Sequence, residues 1–214
     1  VASCRAALAL DPSLPEAYNN MGTCLQEQAL PADAIAAFRM ALRVRQLYRA
    51  AHDNLLCALF LDPACDAGTF AVEHKLWQHL HADPLRAMRL PHGNDRSPRR
   101  RLRVGYVSPD FCDHVLAFIV QPLLRHHDHE AFEVHCFASV ARPDAVTERL
   151  RRFSDRWHDI SGLSDEEAAA LIRRNEIDIL VDLSLHMADN RLLLFARKPA
   201  PVQVSYGGYP DTTG

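Results

Sequence analysis

With 214 residues, 48% of them hydrophobic, and a formal charge of −3, the chain has apolar material for one or two cores. It contains no apolar run long enough to span a bilayer, and nothing in its near balance of charge implies a polyanionic partner. Neither a membrane nor nucleic acid is expected as a partner. Cys4, Cys24, Cys57, Cys65, Cys112 and Cys136 lack CxxC spacing, which argues against a zinc knuckle or redox pair and for free thiols in a reducing, cytoplasmic compartment. No metal site is expected. Val1 falls inside what reads as a helix and Gly214 inside a glycine-rich loop, so the sequence is expected to be a fragment, any targeting signal lying upstream.

The first sixty residues repeat themselves. Ala7 and Leu8 recur as Ala41 and Leu42, Ala17 as Ala51 and Asn20 as Asn54, an offset of 34 residues, the period of the tetratricopeptide repeat. The complete unit carries Tyr18, Met21, Gly22, Leu25, Ala34, Phe38 and Ala41, small residues marking where two helices cross and large ones filling the space around them. Ser13-Leu14-Pro15-Glu16 has the spacing of a capping box, and Pro31 opens the next helix. Gln46 stands where a further closing proline would fall, a sign that the array is degenerating. Because one repeat cannot bury its own face, further repeats are expected upstream.

From Thr69 to His81, Phe70, Trp77 and Leu80 predict a connecting helix without the repeat signature; residues 91–101, PHGNDRSPRRR, then read as a solvated basic linker. The domain reading is therefore repeats over 1–60, a connecting helix and linker over 61–100, and a second domain over 101–214. There, strands are predicted at 102–107, 133–138, 178–184 and 202–206, and helices at 115–127, 145–154, 164–174 and 189–197. Such alternation predicts a parallel sheet wrapped by helices. Ser164 with Glu167 forms a second capping box, and Pro122 interrupts the first of these helices.

In an open parallel sheet ligands bind beyond the carboxyl ends of the strands, so the loops that follow strands carry the chemistry. Three are unusual: SPDFCDH at 108–114, LHMADN at 185–190 and GGYPDTTG at 207–214. The first delivers His114 to a helix start. The third combines glycines with Thr212 and Thr213 hydroxyls, a pairing suited to sugar or phosphate oxygens. No GxGxxG follows the first strand, where GYVSPDF stands instead, which argues against an ordinary nicotinamide-dinucleotide enzyme. His126, His127 and His129 read as surface residues at a helix end, and Asp182 as either a second base or a carboxylate bonded to loop amides.

RVGYVSPDFCDH, followed by LVDLSLHMADNRLLLFARKPAPVQVSYGGYPDTTG and preceded by tetratricopeptide repeats, resembles the protein O-linked N-acetylglucosamine transferases and their SPINDLY-like relatives. The resemblance covers nearly the whole chain and implies an α plus α/β fold: helical repeats, then a Rossmann-like parallel-sheet lobe, the N-terminal half of a GT-B glycosyltransferase. It implies that UDP-N-acetylglucosamine is the donor substrate, that a serine or threonine hydroxyl of a protein attacks it with inversion, and that neither a metal nor another cofactor is required. The repeats would select protein or peptide acceptors. His114, matching the histidine of the family's DFxxH segment, is implied as the catalytic base. His186, Gly208, Tyr209, Pro210 and Thr212 match the loops that line the same cleft and are implied in substrate binding. Leu185 and Met187 stand where relatives usually carry glycine and threonine, Gly207 where a larger apolar residue is common, and Asp211 where a small one is. Two alternatives share these motifs: a non-catalytic repeat scaffold that binds peptides through a degenerate lobe, and a SPINDLY-like protein O-fucosyltransferase. Because the family's second lobe holds most contacts to the nucleotide, the isolated 214 residues are expected to be inactive.

Overall fold

The computed structural model describes residues 1–209, 212 and 213. They form two compact units, one of residues 1–84, 186–188 and 212–213, the other of residues 85–185 and 189–209.

The first unit is helical: α1 (Ala2–Leu10), α2 (Pro15–Glu27), α3 (Pro31–Val44), α4 (Arg49–Leu61) and α5 (Ala67–Trp77), each packed on the next. Pro15 and Pro31 sit at first helical positions, where a missing N–H costs nothing. The Ser13 capping box does not form. Leu14 takes the N-cap position, and the Ser13 hydroxyl turns to Asp11 Oδ1 at 2.6 Å instead. The proline at first position shifts the helix start one residue along, out of reach of Ser13. The helix ends without a proline at position 46: α3 stops at Val44, and Arg45 already has extended backbone.

The crossing of α2 and α3 explains the small residues. A Cβ on Gly22 would lie 2.5 Å from the ring of Phe38, itself fully buried with Ala34 and Ala41. Leu25, Leu55, Ala58 and Leu59 complete this core. Beyond α5 the backbone loosens into a π-helical turn at Gln78–Ala82, so the predicted connecting helix is shorter than its apolar pattern suggested. Among the described residues no helix is long and apolar enough to cross a membrane.

The second unit is a five-stranded, all-parallel sheet of β1 (Leu102–Ser108), β2 (Phe132–Ala138), β3 (Arg156–Asp159), β4 (Ile179–Asp182) and β5 (Val202–Ser205) in the order β3-β2-β1-β4-β5. Helices α6 (Val115–Arg125), α7 (Ala145–Arg151), α8 (Asp165–Arg174) and α9 (Leu192–Ala196) connect the strands. Alternation along the strands separates two cores. Tyr106 and Cys136 face Leu116, Val120, Leu124 and Leu150, whereas Val107 and Phe137 face Ile172, Leu194 and Phe195. The Ser164–Glu167 capping box forms as predicted. Strand β3, RWHD, escaped prediction because it is short, polar and at the sheet edge, where no apolar run is demanded.

The basic linker is not simply solvated. Arg100 makes a bidentate pair with Asp178, both bonds 2.6 Å, and Asn94 Nδ2 and the Arg103 amide donate to the same carboxylate at 2.8 and 2.9 Å. Burial pushes the Asp178 carboxyl up, but these donors outweigh it and hold it below the ordinary carboxylate value. A depressed folded-state pKa contributes stability above the unfolded value, lost as pH falls through the folded one. Stability should therefore fall on acidification below about pH 4, and less steeply in Asp178→Asn, as read from urea midpoints at pH 3 and pH 7. At the end of α2, exposed Ala29 has φ 56° in a Schellman turn, with Leu30 N–H donating to Leu25 O and Ala29 N–H to Gln26 O. Ala29→Gly should raise stability by about 1 kcal/mol, measured by chemical denaturation, because glycine adopts that backbone without penalty.

Candidate functional site

The loop after β1 is held at several points. Buried Ser108 accepts the Asp110 amide on its Oγ at 2.9 Å, and Phe111 is fully buried against Trp157. The Asp113 amide donates to Asp144, the N-cap of α7, at 2.7 Å. These contacts deliver His114 to the N-cap of α6, where its Nδ1 accepts the Leu116 amide at 3.3 Å. In the neutral ring the proton therefore sits on Nε2. The side chain remains 37% exposed, with Asp110 Oδ2 4.0 Å from Nδ1. Burial pushes the Asp110 carboxyl above its ordinary value; His114 opposes that shift and Asp189, from the loop after β4, adds to it.

The loop after β4 starts on Asp182, whose carboxylate accepts the amides of Ser184 and Leu185 at 3.1 and 3.0 Å. This is the structural alternative expected for that residue, and it shapes the turn. Leu185 and Asp189 both have left-handed backbone, φ 50° and 56°. Position 185 thus has the backbone conformation that glycine prefers. Asn190 Oδ1 then accepts the Leu192 amide at 3.2 Å to open α9.

The loop after β5 leans on the previous one. Tyr206 N–H donates to Asp182 O at 2.8 Å, and Tyr209 N–H to Ser184 O at 3.4 Å. Gly207 has φ 71° and lies beside Ile119 of α6. Gly208 is in closer quarters, since an added Cβ would meet Leu183 O and the Ser184 carbonyl carbon at 2.8 Å.

The second unit thus gathers His114, Gly208 and Tyr209 at the carboxyl edge of the sheet, with Asp110 and Asp189 among them. Tyr209 is only 4% exposed, so its ring packs rather than projects. His186 belongs to the first unit. Its ring is buried in the first unit, with Nδ1 3.1 Å from Asp53 Oδ1 and its plane nearly perpendicular to Trp77 at 4.7 Å. A ring so enclosed does not offer the direct substrate contact expected of it. Thr212 is exposed and belongs to the first unit, while Pro210 and Asp211 lie outside the described residues. Among the other histidines, His127 Nε2 meets the Tyr106 hydroxyl at 3.0 Å and His129 pairs with Asp155 at 2.9 Å, so both are tied structural residues at the helix end.

Sequence reading missed Asp110, although it sits inside the quoted motif, because its closeness to Asp189 depends on two loops separated by nearly eighty residues. It also missed Asp53, Arg49, His74 and Trp77 as the surroundings of His186, which no local spacing reveals. Among the described residues, no group of three or more His, Cys, Asp or Glu side chains is arranged to hold a metal ion.

Residues 73–214 match the model of glycosyl transferase family 41. The chain is 40% identical over 125 residues to the probable UDP-N-acetylglucosamine–peptide N-acetylglucosaminyltransferase SPINDLY of Solanum lycopersicum, covering 56% of this chain and 13% of that protein. With the protein of the same name in Oryza sativa subsp. japonica it shares 34% identity over 188 residues, 84% of this chain and 20% of the relative. The structure of a mutant O-GlcNAc transferase from Thermobaculum terrenum superposes with a TM-score of 0.92 at 39% identity, covering 98% of this chain and 40% of that one. The chain therefore spans about one fifth or less of the length of these curated relatives.

Gly208→Ala should force the second and third loops apart, because the atoms it meets are backbone and cannot rotate away. A loss of about 2 kcal/mol in stability is expected, with faster amide exchange at Tyr209 as the local readout.

Proposed function

Because the chain belongs to glycosyl transferase family 41, we propose that it forms part of a protein O-GlcNAc transferase, which moves N-acetylglucosamine from UDP-N-acetylglucosamine to serine or threonine hydroxyls of proteins. The observation that carries this reading is the assembly, on one sheet edge, of a partly exposed histidine at a helix N-terminus and two loops whose backbones touch through Gly208 and Ser184. The names of the relatives support the donor and the peptide acceptor. The helical unit would present acceptor proteins as a tetratricopeptide array, a role supported by the 34-residue offset and the Gly22–Phe38 crossing.

In-line displacement at a sugar carbon requires the acceptor hydroxyl to be held close, its proton to be accepted, and the departing diphosphate to be stabilised. His114 would meet the second need. Its Nδ1 accepts the Leu116 amide, so a neutral ring in this arrangement carries its proton on Nε2. To receive a hydroxyl proton at Nε2 the ring would first release the Leu116 amide and exchange its own proton through solvent from Nε2 to Nδ1, where the Asp110 carboxylate, 4.0 Å away, would have to close in to accept the Nδ1–H hydrogen bond. The loop containing Gly207 and Gly208 would approach the donor through backbone rather than side chains. Such chemistry needs no bound metal.

In the natural-length protein carrying this chain, His114→Ala should lower kcat for peptide transfer by about 100-fold or more with little change in KM for UDP-N-acetylglucosamine. Donor hydrolysis and peptide transfer are measured separately by product chromatography. Equal rates in the variant and the wild type would remove His114 from the mechanism.

A further inference from the structure

Arg191 stands at the N-cap of α9, yet its side chain makes no capping bond to that helix. The guanidinium turns instead along the carboxyl edge of the sheet, with the side chain 11% exposed, and meets three other turns. Nε donates to Asp165 Oδ1 at 2.7 Å, at the start of α8, and Nη2 donates to Leu163 O at 2.9 Å. Nη1 divides between Ser139 Oγ at 3.2 Å, just past β2, and Ile160 O at 3.3 Å, just past β3. A planar fork that meets four acceptors at once holds a single geometry, and a lysine could satisfy only part of it.

Two routes lead from this guanidinium to Asp110. Along the backbone, Arg191 is two residues beyond Asp189, whose left-handed φ of 56° persists only where its surroundings over-determine it. Asp189 is near enough to Asp110 for its charge to add to the burial that pushes the Asp110 carboxyl up. Through hydrogen bonds, the Ser139 that receives Nη1 donates its amide to Ser108 O at 2.9 Å, and Ser108 Oγ holds the Asp110 amide at 2.9 Å. Arg191 therefore carries Asp189 on its own segment and is bonded to the network that holds Asp110.

We propose that Arg191 is a positioning residue for the candidate transfer site, acting through Asp189 and Asp110, whose separation it sets; this rests on the glycosyltransferase reading above. Asp110 Oδ2 lies 4.0 Å from His114 Nδ1. A second carboxylate close by disfavours the charge on Asp110, while the His114 imidazole favours it. The distance from Asp189 to Asp110 thus tunes the group that would accept the Nδ1–H hydrogen bond of His114. All four acceptors of the guanidinium are protein groups, so Arg191 is committed to the frame of the site and not to substrate.

The test uses the natural-length protein labelled with 13C at aspartate carboxyls, with Asp110→Asn for assignment, and compares Arg191→Met, Arg191→Lys, Asp189→Asn and the Arg191→Met/Asp189→Asn double variant. The readouts are the Asp110 titration midpoint, amide exchange over residues 189–192, and steady-state transfer from UDP-N-acetylglucosamine to an acceptor peptide. Asp189→Asn should lower the Asp110 midpoint, because an opposing charge is gone. Arg191→Met should lower it too, since like charges no longer held together move apart, and the double variant should go no lower than Asp189→Asn. Loss of a positive charge acting directly would move the midpoint up, so the direction separates positioning from plain electrostatics. Arg191→Met should also speed exchange over 189–192 and lower kcat about tenfold, with KM for the peptide within about twofold. Arg191→Lys should fall between that variant and the wild type. An Asp110 midpoint unmoved by Asp189→Asn, a midpoint unchanged or raised in folded Arg191→Met, or additive shifts in the double variant would overturn the proposal. Should Arg191→Met not fold, Arg191→Lys decides: a midpoint between those of the wild type and Asp189→Asn supports it, and a wild-type midpoint counts against it. Absence of any transfer by the wild type would defeat the glycosyltransferase reading alone, since titration and exchange are read without turnover.

Discussion

Asp182 is the residue on which the carboxyl edge of the sheet turns. Its backbone pairs in register with Val107 of β1 and Ser205 of β5, its carbonyl receives the Tyr206 amide, and its side chain accepts the two amides that begin the next loop. One residue thereby sets the course of two of the three loops that carry the candidate chemistry. A buried carboxylate is tolerable at 2% exposure only because backbone donors surround it. Those donors are free to do so because β4 ends there and the Ser184 and Leu185 amides have no ladder to join.

The loop after β1 reaches the same edge from the other side of β4. His114 closes the gap between strand β1 and helix α6 by offering Nδ1 to an orphan helix amide, which orients the ring. The cap thus occupies Nδ1, and Asp110 Oδ2 lies 4.0 Å from the same nitrogen. Asp110 is partly buried, and that burial together with Asp189 pushes its carboxyl up, against the opposing effect of His114. A helix cap, a turn and a glycine contact, each ordinary alone, become a site because the parallel sheet aligns the ends of β1, β4 and β5.

Legibility differed from element to element for physical reasons. Strands β1, β2 and β4 were readable because a sheet covered on both faces demands apolar runs, and α8 because its capping box is a local device. Strand β3 was not, since an edge strand needs only backbone pairing. The repeat crossing was readable from Gly22 and Phe38, whose sizes compensate within one hairpin, whereas Ser13 misled because proline moved the helix start. Arg100 read as linker because the carboxylate that holds it, Asp178, lies far along the chain.

The sequence by itself determined the alternation of strands and helices apart from β3, the placement of His114 at a strand-to-helix corner and the likeness to family 41, because all of these rest on periodicity, capping and motifs confined to short stretches. Only the tertiary structure decided that the His186 ring turns inward onto Asp53, that Leu185 adopts a glycine-like backbone, and that Asp110 and Asp189 share a field. Those outcomes depend on groups brought together from distant parts of the chain, where packing and the need to partner buried charge overrule what neighbouring residues prefer.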